Sequence, residues 1–222
     1  MSTDIIVSYD GTSNDDDALA LGKLLSRTGA TLALAYVRHS REFDPRREDL
    51  AQHDAEHRLE QGAAWLEDPE IPRHVVVSAS TGAGLGQLAQ DEQASVIVFG
   101  SDYRTPPGRV EPGPSAQHLL EGGSVAIAVA PAGLRTDARA SIETITVLPQ
   151  DADGAAQDTA EALASALGVA IVASETGADL IVVGSRTSGP LGRIALGGAA
   201  RTHLGAARSA VLVVPYGQPA HF

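Results

Sequence analysis

Short apolar runs rich in Val and Ile alternate along this chain with longer stretches in which Ala and Leu recur among Glu, Gln and Asp. Runs of that length with β-branched side chains suit buried strands, and the longer amphipathic stretches suit helices laid over them. The pattern therefore predicts an α/β fold built on a parallel sheet. Strands are expected over 5–8, 32–37, 75–78, 96–100 and 125–130, with helices over 16–27, 46–66, 84–90 and 115–120. Together they make a five-stranded unit over 1–131. The stretch AGLRTDARAS that follows has no apolar periodicity and reads as a linker over 132–142.

A repeat then appears. The segment SVIVFGSDYRTPPGRVEPGPSAQHLLEGGSVAIAVAP, from Ser95, superposes without a gap on DLIVVGSRTSGPLGRIALGGAARTHLGAARSAVLVVP, from Asp179. Gly100 falls on Gly184, Gly108 and Arg109 on Gly192 and Arg193, Gly113 on Gly197, and Pro131 on Pro215. Self-similarity of this kind marks a duplicated unit. Residues 145–148 supply another first strand, but only 34 positions separate Gln150 from Gly184, against 90 from Asp10 to Gly100. The second copy, 143–222, is thus a degenerate one that has lost a block the size of a strand-helix-strand segment. The stretch 169–172 leaves too few residues for a crossover helix before Leu180 if it is a strand, so it is expected to be helical.

Composition narrows the partners. A net charge of −12 disfavours nucleic acid and anionic membrane surfaces, which require a basic face. With no cysteine there is no disulfide, thiolate nucleophile or cysteine-held metal centre. The start MSTDIIVSYD has no leader-like pattern, and no apolar run approaches the ~20 residues that span a bilayer, so a cytoplasmic protein is expected.

Each copy has a strand, Gly-Ser, a glycine-rich loop of about a dozen residues, and a further glycine that opens a helix. Such a loop suits a phosphate, because glycine permits close backbone approach and the unpaired N–H groups of a helix start point at the anion. It also suits a plain tight surface loop. The spacing of Gly100, Gly108 and Gly113, the first-strand text IIVSYDGT, the second-strand text ALAYV, VIVFGS and the closing AVLVVP together resemble the universal stress protein family in its tandem form. The resemblance implies a Rossmann-like nucleotide-binding sheet of the adenine nucleotide alpha hydrolase type and an adenine nucleotide, ATP or AMP, held without turnover in a stress response. It places that nucleotide near Asp10, Gly11, Thr12, Val37, Gly100, Ser101, Gly108, Arg109, Gly113 and Ser115. Asp10 would take the ribose or adenine side, the main chain of Val37 the adenine, and the glycine loop the phosphates. It also implies that the last strands of the two copies pair, within the chain or in a homodimer.

Tyr103 and Pro114 depart from that family's pattern, standing at the second glycine and at the Ser/Thr position, with Ser115 adjacent to supply a hydroxyl. A micromolar ligand needs roughly 8 kcal/mol, and each charge-assisted phosphate hydrogen bond contributes about 1.5–3, so these departures weaken binding toward millimolar. Arg104 and Arg109 are candidates to compensate. In the second copy Gln150, Thr187 and Gly198 replace the Asp, the second glycine and the Ser/Thr, and the counterpart of Val37 would lie in the missing block, so no adenine pocket is expected there.

Two rival readings stand beside this one. The opening text, Asp15-Asp16-Asp17 followed by ALAL, also resembles the calcium site of nucleoside hydrolases, but Ser8 occupies one ligand position and Asp10 is misplaced relative to the Asp pair. The Asp run is read instead as a helix start, capped by Ser13 or Asn14. The other rival is a ligand-free interaction module of the same fold. His53 and His57 lie one helical turn apart without a third ligand, Trp65 is expected as an apolar anchor, and neither a tightly bound metal nor a catalytic constellation is expected.

Overall fold

The computed structural model describes residues 3–41, 43–149, 154–174 and 176–222. In the first half, strands β1 (Ile5–Ser8), β2 (Leu32–Arg38), β3 (Arg73–Val77), β4 (Val96–Phe99) and β5 (Ala126–Val129) alternate with four helices. These are α1 (Ser13–Leu25), α2 (Pro45–Trp65), α3 (Thr81–Glu92) and α4 (Pro114–Leu120). The second half contributes β6 (Thr144–Leu148), α5 (Ala155–Leu167), β7 (Ala170–Ile171), β8 (Leu180–Val183), α6 (Gly198–Ala206) and β9 (Ala210–Val213). All nine strands form one sheet in the order β3-β2-β1-β4-β5-β9-β8-β6-β7. Every pairing is parallel except β5 with β9.

Period-two alternation sorts the strand side chains onto two faces. Val96 and Val98 pack with Ile5, Val7, Leu19, Leu59 and Leu163 on one face, the face covered by α1, α2 and α5. Ile97 and Phe99 pack with Leu85, Leu119 and Leu204 on the other, under α3, α4 and α6. Each of these cores runs through both halves. Trp65 packs at the margin of the first, as an apolar anchor.

The antiparallel pair β5–β9 joins the halves within the chain, in the register Ile127↔Val213, Ala128↔Leu212 and Val129↔Val211. Ala128 and Leu212 are repeat equivalents, so a pseudo-two-fold axis passes between them. The expected contact of terminal strands is therefore made intramolecularly, and it covers edges that would otherwise expose unpaired backbone.

Two expectations are corrected. Residues 169–172 do not form a helix: Ala170 and Ile171 pair in parallel with Thr144 and Ile145, and Val172 N–H donates to Ile145 O at 2.8 Å. Among the described residues between β7 and β8 there is no helix, which is why so few residues suffice for the crossover. Since β7 lies beside β6 as β2 lies beside β1, the block missing from the second half is helix-strand-helix, the counterparts of α2, β3 and α3. Between the halves, Leu134–Thr136 form a 3₁₀ turn, and Leu134 and Ala140 pack on the core.

Candidate functional site

In the first half the chain runs from β1 outward to β2 and β3, then returns across β1 to β4. The carboxyl ends of β1 and β4 consequently diverge at a switch point, where open α/β sheets leave a crevice. A cleft of about 390 Å³ lies there. Tyr9 and Asp10 enter it from β1, Tyr36 and Val37 from β2, Gly100 and Asp102 from β4, and Gly113 and Ser115 from the start of α4.

Of the expected residues, Asp10, Thr12, Val37, Gly100, Ser101, Gly113 and Ser115 line this cleft, whereas Gly11, Gly108 and Arg109 do not. Val37 is placed by strand alternation. Ala35 O accepts Tyr9 N–H on the β1 side, and Leu34 N–H and Arg38 O bond toward β3. The main-chain groups of Val37 therefore face the β1 side, past the point where β1 ends. Gly100 is glycine for a reason unconnected with phosphate: a Cβ there would collide with Asn14 O, in the first turn of α1. Asn14 also donates through Nδ2 to Ser101 O at 2.8 Å, locking that turn to the end of β4.

The glycine loop is wired largely to the joint. Gly108, at φ 70°, donates its N–H to Ala132 O at 2.8 Å, and Gly192, also at φ 70°, donates to Tyr216 O at 2.8 Å. Ser101 Oγ donates to Ala130 O at 2.7 Å and accepts Glu111 N–H at 3.2 Å. Ser185 repeats both, with Val214 O at 2.7 Å and Ala195 N–H at 3.2 Å. Each loop also crosses to the other half, Val110 N–H to Ala207 O at 3.1 Å and Ile194 N–H to Gly123 O at 2.8 Å.

The Asp run does start a helix, but the cap is Thr12, whose side chain makes no capping bond, and Ser13 and Asn14 lie within the helix. Each carboxylate then has a separate task. Asp15 accepts Asp10 N–H at 2.7 Å. Burial first, then the hydrogen bond and charge of Asp10, push the Asp15 carboxyl up to about 8. Burial would also raise Asp10, but hydrogen bonds from Asp15 and Thr12 and the charge of Arg58 outweigh it and hold Asp10 below its ordinary value. The pair thus keeps one proton, on Asp15. Tyr9 OH reaches Asp16 at 3.4 Å, and burial followed by the surrounding carboxylates pushes its phenol up to about 12. Asp17, only 1 % exposed, accepts the N–H groups of Gly133 and Arg135 and the Arg135 guanidinium, each at 2.8 Å.

Sequence reasoning missed Arg58, which reaches from α2 to Asp10 O at 2.8 Å and lies 5.7 Å from the centre of the Tyr36 ring. Its place on a polar helix far along the chain gave no signal. Arg104 is turned onto Asp102, Nε to Oδ1 at 3.1 Å, and lies 5.1 Å from the Tyr103 ring centre. His53 bonds to Asp49 O and His57 approaches Glu60, and among the described residues no group of three or more His, Cys, Asp or Glu is placed to hold a metal ion. No helix among them is long and apolar enough to cross a membrane. In the second half, β7 stops at the register position of Leu32, well short of the position matching Val37, and Gln150 lies outside the described residues.

The sequence matches the model of the universal stress protein family twice, over residues 1–131 and 138–215. No curated protein sequence matches that of this chain. Among solved structures, the fold resembles that of a universal stress protein from Archaeoglobus fulgidus DSM 4304, with a TM-score of 0.72 at 14% identity over 97% of this chain and 99% of that one. It also resembles a putative universal stress protein from Pseudomonas aeruginosa UCBPP-PA14, with a TM-score of 0.62 at 15% identity over 97% and 94%. With both halves matched by the family model and the fold shared from end to end, the chain belongs to the universal stress protein family.

Proposed function

We propose that the cleft of the first half binds an adenine nucleotide and that the protein is a cytosolic regulatory binder in a stress response, with no turnover of the nucleotide. The observation that carries this reading is the meeting, at one switch-point cleft, of the outward main chain of Val37 with the helix start at Gly113 and Ser115. The first supplies an edge-on donor and acceptor for a base, and the second supplies N–H groups with no partner inside the helix. Asp10, kept ionised by its neighbours, offers carboxylate oxygens toward a ribose. The division at 132–142 into a nucleotide half and a covering half belongs to the same proposal. Regulation has a physical route, since the first turns of α1 touch the cleft through Asn14 and Asp15 and the inter-half segment through Asp17. An occupant that binds one arrangement of that helix better than another shifts the joint by its differential affinity.

The test is titration calorimetry with adenine nucleotides, together with mass spectrometry of whatever is released from protein purified without added ligand. One site per chain is expected. Gly113 has φ −69°, which any residue adopts, and a Cβ there meets nothing within 4 Å, so Gly113→Val should stay folded while its side chain enters the cleft. It should abolish binding, whereas the repeat-equivalent Gly197→Val should leave affinity unchanged. Absence of any bound nucleotide, or loss in the Gly197 variant alone, would overturn the proposal.

A further inference from the structure

The two ends of the cleft differ in the cations set beside their carboxylates. At the end formed by β1 and β2 the Asp10 carboxylate has Arg58 beside it, the one arginine among the described residues that lines the cleft, together with His39, the Tyr36 ring and the outward main chain of Val37. At the end formed by the glycine loop stands a carboxylate. Asp102 follows β4 directly, lines the cleft, and is held below its ordinary value first by the main-chain N–H of Arg104 and then by its guanidinium. That leaves Arg104 spent on Asp102, and neither Arg104 nor Arg109 lines the cleft. Among the described residues no lysine lines it either.

The neutral donors at this end are also few. Pro114 is the first residue of α4 and has no N–H, so one of the groups that a helix start leaves open is missing here. Ser101 spends its hydroxyl on Ala130 O, and Tyr103, 76% exposed, fills the loop position where a glycine would let backbone approach. A chain of phosphates laid along this loop would bring three or four negative charges against Asp102 with no cation to neutralise them. A single phosphate, or none, would bring at most two negative charges to that end.

We infer that the cleft selects adenosine or its monophosphate and discriminates against the di- and triphosphate. This inference rests on the adenine-nucleotide reading above and specifies the ligand class of that site. The affinity order is adenosine and AMP first, then ADP, then ATP, with ATP about tenfold or more weaker than AMP, the worth of roughly one charge-assisted hydrogen bond.

The experiment is calorimetry of the full chain with adenosine, AMP, ADP and ATP, with and without magnesium, repeated on Asp102→Asn and on Pro114→Ser. Wild type is expected to follow the stated order. Asp102→Asn removes the repelling charge and Pro114→Ser restores an N–H and adds a hydroxyl, so each should narrow or reverse the gap between AMP and ATP. ATP binding as tightly as AMP in wild type, or an unchanged gap in both variants, overturns the inference and leaves the nucleotide reading intact. Binding of none of the four compounds overturns both.

Discussion

The two halves carry the same glycine loop, but the switch-point cleft is lined by residues of the first half. What they share is the joint. Gly108 and Gly192 turn at the same φ, Ser101 and Ser185 seal the ends of β5 and β9 with matching bonds, and Val110 and Ile194 reach across to the opposite half. What they do not share is the block from α2 to α3, which in the first half supplies Arg58 and Thr81 to the cleft wall and supports β2 as far as Val37. A loop retained at constant spacing in a half that has lost the counterpart of that wall is retained for the joint. The duplication therefore identifies the interface residues of the motif, and the residues particular to the first half identify the cleft.

The largest effect should come from cutting the tie that the first half makes to the inter-half segment. Asp17→Ala leaves two N–H groups and the Arg135 guanidinium without their buried acceptor, and is expected to cost about 3 kcal/mol. Urea unfolding measures it, and a loss under ~1 kcal/mol would show that solvent replaces the carboxylate. The next effect tests whether the loops are equivalent. Ser101→Ala and Ser185→Ala each strand a strand-end carbonyl and a loop N–H, so each should cost about 1–2 kcal/mol, and the two should agree within ~0.5. A Ser101 variant as stable as wild type would return that hydroxyl to the cleft and break the comparison.

A further effect depends on pH and belongs to the first half alone. Folding holds Asp15 protonated up to about 8, against an ordinary value of 3.8, so between those values the folded protein binds the extra proton. The contribution of Asp15 to stability is complete below the lower value and is lost as pH rises through the upper one. Asp10 moves in the opposite sense, its contribution being lost only as pH falls through its own depressed value. Asp15→Asn keeps an oxygen for Asp10 N–H and a donor for the Asp10 carboxylate while removing the titration. It should be more stable than wild type near pH 8.5, and by a larger margin there than near pH 4, read by denaturant unfolding at both. Equal stability at the two pH values would show that the pair does not share a proton.

By itself the sequence determined the strands β1 to β5, the four helices between them and the duplication. Those follow from local burial period and element order, which β-branched runs and amphipathic stretches record directly. It also placed Asp10, Val37, Gly113 and Ser115 at strand ends and a helix start, where the cleft is found. Only the tertiary structure decided the rest. β7 is two exposed residues with no pattern of their own, and it is a strand because the edge of β6 offers unpaired backbone. Neighbouring carboxylates in one run took different partners, Asp15 at Asp10 and Asp17 at Gly133 and Arg135, and Arg58 came from another helix to Asp10. Polar contacts of this kind have no period along the chain, since which groups must pair is settled only when packing brings them out of water together.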